Sequence, residues 1–157
     1  MDDRVDRSFE EVVASLYPAL EQRLAVVLRD AHSAADLTQE TYLRAYRSWP
    51  AFDGRDPRAW LYTIGLRLAF NELRRRRGWR RLLSPDRGTA IAVQNSDPDL
   101  WLAIERLEPQ QRAALVLHVV DGYTQQEIGQ MLGAPAGTVG SWISRAKDRL
   151  RIELEER

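Results

Sequence analysis

The sequence predicts an all-α protein: two small helical domains joined by a flexible linker. Three observations carry that expectation. Apolar residues recur at three- and four-residue steps through most of the chain, and no segment alternates apolar and polar positions long enough to argue a strand. Four pairs, Asp56-Pro57, Asp97-Pro98, Glu108-Pro109 and Ala134-Pro135, put proline where a helix opens and a missing N–H costs nothing. Between residues 82 and 97, in LLSPDRGTAIAVQNSD, the period lapses and Ser, Pro, Gly, Asn and Asp gather. The expected division is a domain over 1–81, a linker over 82–97 and a domain over 98–157. Domains this small have thin cores, so weak docking of the two halves on each other is expected in the free chain.

The first helix is expected over residues 8–29, where Phe9, Val12, Val13, Leu16, Leu20, Leu24, Val27 and Leu28 keep helical spacing. The second is expected from about Ser33, a cap with Asp36 three residues on, to about Arg47. The stretch WPAFDGRDP then breaks the helix. Asp56 caps the third helix and Pro57 opens it, with Trp60, Leu61, Ile64, Leu68 and Leu73 as its core stripe down to Gly78. In the second half, short helices run from Pro98 to about Leu107 and from Pro109 to Val120. Thr124 and Glu127 make a capping box for the next, which ends at Leu132.

The segment LGAPAGTVGSWISRAK, residues 132–147, ends one helix and starts another at once. Gly133 suits the left-handed residue that closes a helix, and Pro135 the first position of the next. The product is a helix-turn-helix. In the last helix Val139, Ile143, Ala146, Leu150 and Leu154 cluster on one side, at about 100° per residue. Thr138, Ser141, Arg145 and Arg149 cluster on an adjacent side, with Trp142 near its edge. The apolar side packs on the preceding helices. The other is free to enter a major groove, which admits one helix. The small residues Ala136, Gly137 and Thr138 let the helix N-terminus come close to a phosphate. Three placements are open to Trp142: on DNA, in the core, or against a partner.

The chain is neutral overall, with 23 basic and 23 acidic residues among 157, but its charge is segregated. Residues 1–65 carry 8 arginines against 11 acids, residues 66–87 carry 8 against 2, and residues 88–157 carry 7 bases against 10 acids. The central run, RRRRGWRR, sets arginine forks around Trp79, a combination that grips phosphate and stacks on bases. An enzyme is not expected. Cysteine is absent, His32 and His118 are the only histidines, and His118 lies in an apolar helix as a core or interface residue. No metal-ligand cluster, glycine-rich phosphate loop or nucleophile–base spacing is present, so no catalytic residue, metal, cofactor or small-molecule substrate is expected. The acidic opening residues lack the apolar stretch of a signal peptide, and no segment is long enough to span a bilayer. A cytoplasmic protein without membrane insertion is the expectation.

The stretch SAADLTQETYLRAYRSWPAFDGRDPRAWLYTIGLRLAFNELRRRR resembles region 2 of a bacterial RNA polymerase sigma factor. LEPQQRAALVLHVVDGYTQQEIGQMLGAPAGTVGSWISRAKDRLR resembles region 4. With nothing substantial between or beyond them, the chain is similar to the extracytoplasmic-function group from about Phe9 to Leu154. The resemblance implies a promoter-specificity subunit, with core RNA polymerase, promoter DNA and an anti-sigma factor as partners. It sets Asp36, Gln39 and Glu40, which share one helix face, against the polymerase clamp. It gives the loop from Pro50 to Asp56, with Phe52 and Asp53, the capture of a flipped base of the minus-ten element. Phe52 is a pocket wall or a core residue. The resemblance turns Arg67, Asn71, Arg74, Arg75, Arg76 and Arg77 toward the rest of that element, with Trp60 and Tyr62 as stacking rings or core. It makes the last helix the reader of the minus-thirty-five element through Thr138, Ser141, Trp142, Arg145 and Arg149. The family often has basic residues where this chain has Gly140 and Trp142, and more often Asn where it has Arg67. The rival is a stand-alone helix-turn-helix regulator that binds duplex without polymerase, which leaves the first half of the chain without a task.

Overall fold

The computed structural model of the protein describes residues 3–80 and 97–156. The linker expected over 82–97 lies outside them, Asp97 excepted. Among the described residues the regular elements are helices: α1 (Asp3–Leu28), α2 (Ala31–Ser48), a 3-10 turn at Trp49–Ala51, α3 (Pro57–Arg80), α4 (Pro98–Glu105), α5 (Pro109–Val119), α6 (Gln125–Leu132) and α7 (Ala136–Glu155). They form two bundles, α1 to α3 and α4 to α7.

In the first bundle the three helices pack pairwise. From α1, Phe9, Val13, Leu20, Leu24 and Val27 are fully buried. Burying a side chain of this size is worth about 1.5–3 kcal/mol, so this stripe dominates the bundle's cohesion. Phe9 is ringed by Tyr42, Tyr46 and Trp49, edge to face at 5.2–5.3 Å between centroids, which ties α1 to the end of α2. The helix α2 starts two residues earlier than expected. Asp30, not Ser33, is its N-cap, and its carboxylate accepts from the N–H groups of His32 and Ser33 and from the Ser33 hydroxyl. The reason is local: Arg29 turns left-handed at φ 56 and leaves Asp30 extended, aimed at the first turn.

Helix α3 buries a face different from the expected one. Leu61, Tyr62, Gly65, Leu66 and Ala69 are buried, whereas Trp60, Ile64, Leu68 and Leu73 are half-buried. The helix has neighbours on two sides, α1 and α2 on one and α6 of the second bundle on the other. Gly65 lies where the first three helices come closest. A Cβ there would fall 2.8 Å from Leu20 Cδ1 and 3.2 Å from Thr41 Oγ1.

In the second bundle α5 is central, buried from Arg112 to Leu117, and α7 packs along it and against α4 and α6. Val139, Ile143 and Ala146 of α7 are buried and Leu150 is half-buried. Leu154, expected on the same side, is 38% exposed, because the last turn of α7 lies beyond its packed residues. The capping box forms as expected, with Glu127 N–H on Thr124 Oγ1 and Thr124 N–H on Glu127 Oε1, both 3.1 Å. Gly133 closes α6 at φ 69. Pro135 stands one place earlier than expected: it is the N-cap of α7, extended at ψ 149, and this extension makes the sharp corner.

The bundles dock, α1 on α5 and α3 on α6. Three arginines carry the polar part of the contact. The Arg23 fork grips the Asp121 carboxylate at 2.7 and 2.9 Å. Arg58 donates to Tyr123 Oη at 2.7 Å and to the Asp121 carbonyl at 3.0 Å, with its guanidinium 4.7 Å from the Tyr123 ring centroid. Arg112 donates to the carbonyls of Val26 and Val27 at the end of α1, and to that of Leu107.

The corner before α7 generates a prediction. A Cβ on Gly129 would fall 2.4 Å from the Ala134 carbonyl oxygen, and backbone cannot move aside cheaply. Gly129→Ala should therefore destabilise the second bundle by about 1–3 kcal/mol. Chemical denaturation measures this, and an unchanged midpoint counts against so close a corner.

Candidate nucleic-acid and polymerase interface

The loop between α2 and α3 has a fixed shape. Trp49, at the start of the 3-10 turn, stacks on Phe52 at 5.2 Å with 18° between planes. Phe52 also lies 4.8 Å from Trp60. Asp53 Oδ1 accepts from Arg55 N–H at 2.9 Å, and Gly54 supplies the left-handed residue at φ 83. Asp56 Oδ1 accepts from Ala59 N–H and caps α3. Phe52 is thus a half-buried ring in a three-ring cluster, against both Trp49 and Trp60, whose indoles also meet at 5.9 Å. A groove of about 350 Å³ opens beside it, lined by Phe52, Asp53, Arg55, Trp60 and Thr63 among others. Its wall is aromatic and rigid, and its rim is polar.

Arg67, Asn71, Arg74 and Arg77 are exposed along one stripe of α3. Arg74 donates to Asn71 Oδ1 at 2.9 Å. Arg75 and Arg76 are engaged within the first bundle. Arg75 forks onto Glu72. Arg76 is turned inward, bonded to Glu72, Asp30 and Ser33, with 17% of its side chain exposed. It belongs to the seam between α3 and the start of α2 rather than to a DNA face, because two carboxylates there need a counter-charge. These partners hold Glu72 below its ordinary value, the Arg75 hydrogen bond first and then Arg76, and burial only partly opposes them. Tyr62 is fully buried and is no stacking ring; burial pushes its hydroxyl up to about 12.

Asp36 and Gln39 are exposed and Glu40 is half-exposed on the outward side of α2, opposite the buried Ala34, Thr38, Thr41 and Ala45. Glu40 pairs with Arg44 at 3.0 Å. Arg44 and Arg47 were not singled out from the sequence. They share a groove of about 420 Å³ with Arg67 and Asn71, between α2 and α3. The signal was the pair of arginines in LRAYRS, three residues apart and so on one helical face.

On α7, Thr138, Ser141, Arg145 and Arg149 are exposed. Pro135 offers no side-chain cap, so the first-turn N–H groups keep their affinity for an anion. Arg149 pairs with Glu153 at 3.4 Å. Trp142 is half-buried against the core and lines a groove of about 550 Å³ with Arg67, Phe70 and Asn71 of α3. In the docked arrangement it faces the first bundle rather than the free side of its helix.

Two exposed basic surfaces and a helix-turn-helix on one all-helical chain are what the sequence led us to expect, and the comparisons name their source. Residues 12–79 match the family model for sigma-70 region 2, and residues 99–150 the one for sigma-70 region 4. CarQ of Myxococcus xanthus, an RNA polymerase sigma factor, is 32% identical over 98% of this chain and 93% of its own length. The chain belongs to the extracytoplasmic-function sigma factors. SigE of Mycolicibacterium smegmatis, of the same group, is 34% identical over 78% of this chain, which spans 52% of that protein. The sigma factor RpoE of Bartonella quintana, solved with the anti-sigma factor NepR, superposes with a TM-score of 0.83 at 25% identity, over 95% of this chain and 98% of that one. The region 2 match accounts for the first half of this sigma factor, and the stand-alone regulator gives way to it.

The seam at Glu72 generates a second prediction. The unfolded chain takes up this proton at the ordinary glutamate value of 4.5, the folded sigma factor only below it. Its stabilisation is therefore complete above that value and is lost as pH falls through the lowered one. Glu72→Gln should flatten the acid limb of thermal stability against pH. Arg76→Ala should cost about 1–3 kcal/mol and Arg77→Ala less than about 0.5 kcal/mol; equal losses would return Arg76 to the exposed face.

Proposed function

We propose that this sigma factor works in the cytoplasm, without a reaction of its own, through three separate surfaces on its two domains, residues 1–81 and 98–157. Asp36, Gln39 and Glu40 dock α2 on the clamp of core RNA polymerase. The Phe52–Asp53 loop takes a flipped base of the minus-ten element, while Arg67, Asn71, Arg74 and Arg77 track its backbone. Thr138, Ser141 and Arg145, with the first-turn N–H groups of α7, read the minus-thirty-five duplex. The observation that carries this reading is the loop, where Phe52 is held at a fixed angle between Trp49 and Trp60 beside an open groove. Flipping a base costs a few kcal/mol of stacking, and a preformed aromatic wall returns part of it.

The other surfaces support the same reading. The three clamp residues are accessible and tied to no other element. No described helix is long and apolar enough to cross a membrane. An anti-sigma partner fits as well, since RpoE, with the same arrangement over most of its length, was solved with one.

Co-purification with core polymerase tests the first surface: Asp36→Arg should abolish the complex while the variant stays folded. On a minus-thirty-five duplex, Arg145→Ala should weaken holoenzyme binding by about 1–3 kcal/mol if its fork meets a base edge. Unchanged affinity would remove Arg145 from the reading face.

A further inference from the structure

The groove between α3 and the second bundle has the chemistry of a small-molecule site. It measures about 550 Å³ and draws its lining from both bundles, with Arg67, Phe70, Asn71 and Arg74 on one side and Gln110 and Trp142 on the other. Pockets that hold small ligands span about 300–1,000 Å³. No carboxylate lines this one. By contrast, Asp53, Asp56 and Glu127 line the groove beside Phe52, and Glu105 and Glu108 line the cavity beside Arg112. An anion is opposed at those two places and accepted here.

The side chains that line it are uncommitted. Among the described residues Arg67 makes no hydrogen bond or ion pair, Arg74 bonds only to Asn71, and the half-buried Gln110 amide has no partner. Phe70 and Trp142 are half-buried, each packed against the core, and neither meets another aromatic ring. The combination selects a ligand. Two guanidinium forks call for phosphate or carboxylate oxygens. Two ring surfaces call for a flat aromatic body to lie on them. The amides of Asn71 and Gln110 are of the kind that bonds the edge of a base, adenine above all. An aliphatic acid leaves the rings unused, and a neutral heterocycle leaves the forks unused. A nucleotide uses both, and the amides as well.

We propose that this groove binds a free purine nucleoside phosphate, its base against Trp142 and Phe70 and its phosphates on Arg67 and Arg74. A free nucleotide is favoured over a promoter strand because half of the wall, Gln110 and Trp142 included, comes from the second bundle, which the minus-ten assignment above does not use. Arg67 and Arg74 are common to both, yet the binding does not rest on that assignment. It needs only the pocket, whatever α3 does with DNA.

Isothermal titration of the full-length protein with ATP should show one saturable site per chain. Ribose 5-phosphate, which keeps a phosphate and lacks the base, should bind about tenfold more weakly or worse, the loss of one stacked base. Arg74→Gln, at an exposed position, should weaken ATP binding about tenfold, the loss of one bond to a charged group. Arg151→Gln removes the same charge from an exposed position outside the groove and should leave the affinity unchanged. Trp142→Ala should weaken ATP binding about as much as Arg74→Gln, whereas Trp142→Phe, which keeps a ring, should retain most of the affinity; that difference separates stacking from packing. Absence of saturable ATP binding overturns the proposal. So does an equal loss in Arg151→Gln, which would reduce the effect to general charge attraction, and so does ribose 5-phosphate binding as tightly as ATP. If a short single-stranded oligonucleotide of mixed sequence binds in a Trp142-dependent way and ATP does not, the groove is a strand site: the free nucleotide is overturned while the minus-ten assignment stands.

Discussion

Arg112 is 2% exposed, and the hydrogen bonds of its fork go to main-chain carbonyls. Burial pushes its guanidinium down to about 10, with nearby Arg29 adding to the effect, so at neutral pH it remains a buried cation. Such a group persists only where acceptors are aimed at it. Here they are aimed because they are leftovers of helix geometry. Val26 and Val27 lie in the last turn of α1, and Leu107 lies just past α4, where carbonyls have no N–H of their own helix to accept. The negative end of the α1 dipole points at the same place. The first bundle thus completes the second: undocking leaves the Val26 and Val27 carbonyls and the guanidinium N–H groups bound to them to be satisfied by water, while the bond to Leu107 stays within the second bundle.

This makes the contact between bundles different in kind from the contacts within them. Inside region 2 the cohesion comes from Phe9, Leu20, Leu24, Leu61 and Leu66, with the buried Thr38 and Thr41 hydroxyls bonded back to carbonyls of their own helix. Between the regions the named contacts are forks on carboxylate, phenol and carbonyl oxygens. Water can replace these bonds at small net cost, whereas it cannot replace apolar packing. The Arg23 guanidinium shows the balance: burial alone would lower its value, and the bond and charge of Asp121 more than reverse that.

Most of the fold was legible because it is written in local chemistry. Asp-Pro and Glu-Pro pairs, the Thr124–Glu127 box and Gly133 act within four residues of themselves, and a periodic reading of the sequence finds them. What escaped depends on neighbours far along the chain. The buried face of α3 is turned from the one expected because α6 covers a second side. Arg76 left the DNA stripe because Asp30, 46 residues away, completes its seam. Trp142 and Arg112 could not be placed by periodicity, since each answers to the other domain. Asp36, Gln39, Asn71, Arg74 and Arg145 stand exposed, as their place in the sequence pattern led us to expect, because no partner from another element claims them. Arg76 was not legible because its charge is spent internally, and Arg44 and Arg47 were overlooked because α2 drew attention to its acids.

That internal spending bears on how the protein can hold DNA at all. The chain is neutral, and several of its arginines are paired with acids of their own helix: Arg75 and Arg76 with Glu72, Arg149 with Glu153, Arg151 with Asp148. Each such pairing removes a cation that would otherwise displace a counterion, and so lessens the salt dependence of binding at that surface. Gly140 follows the same economy. A Cβ there would fall 2.8 Å from Gln125 Oε1, the end of a flexible side chain that can move aside, and glycine adds no charge to α7. Two weak surfaces become one tight one only when something holds both at the spacing of their targets, because the second contact is then made at high effective concentration.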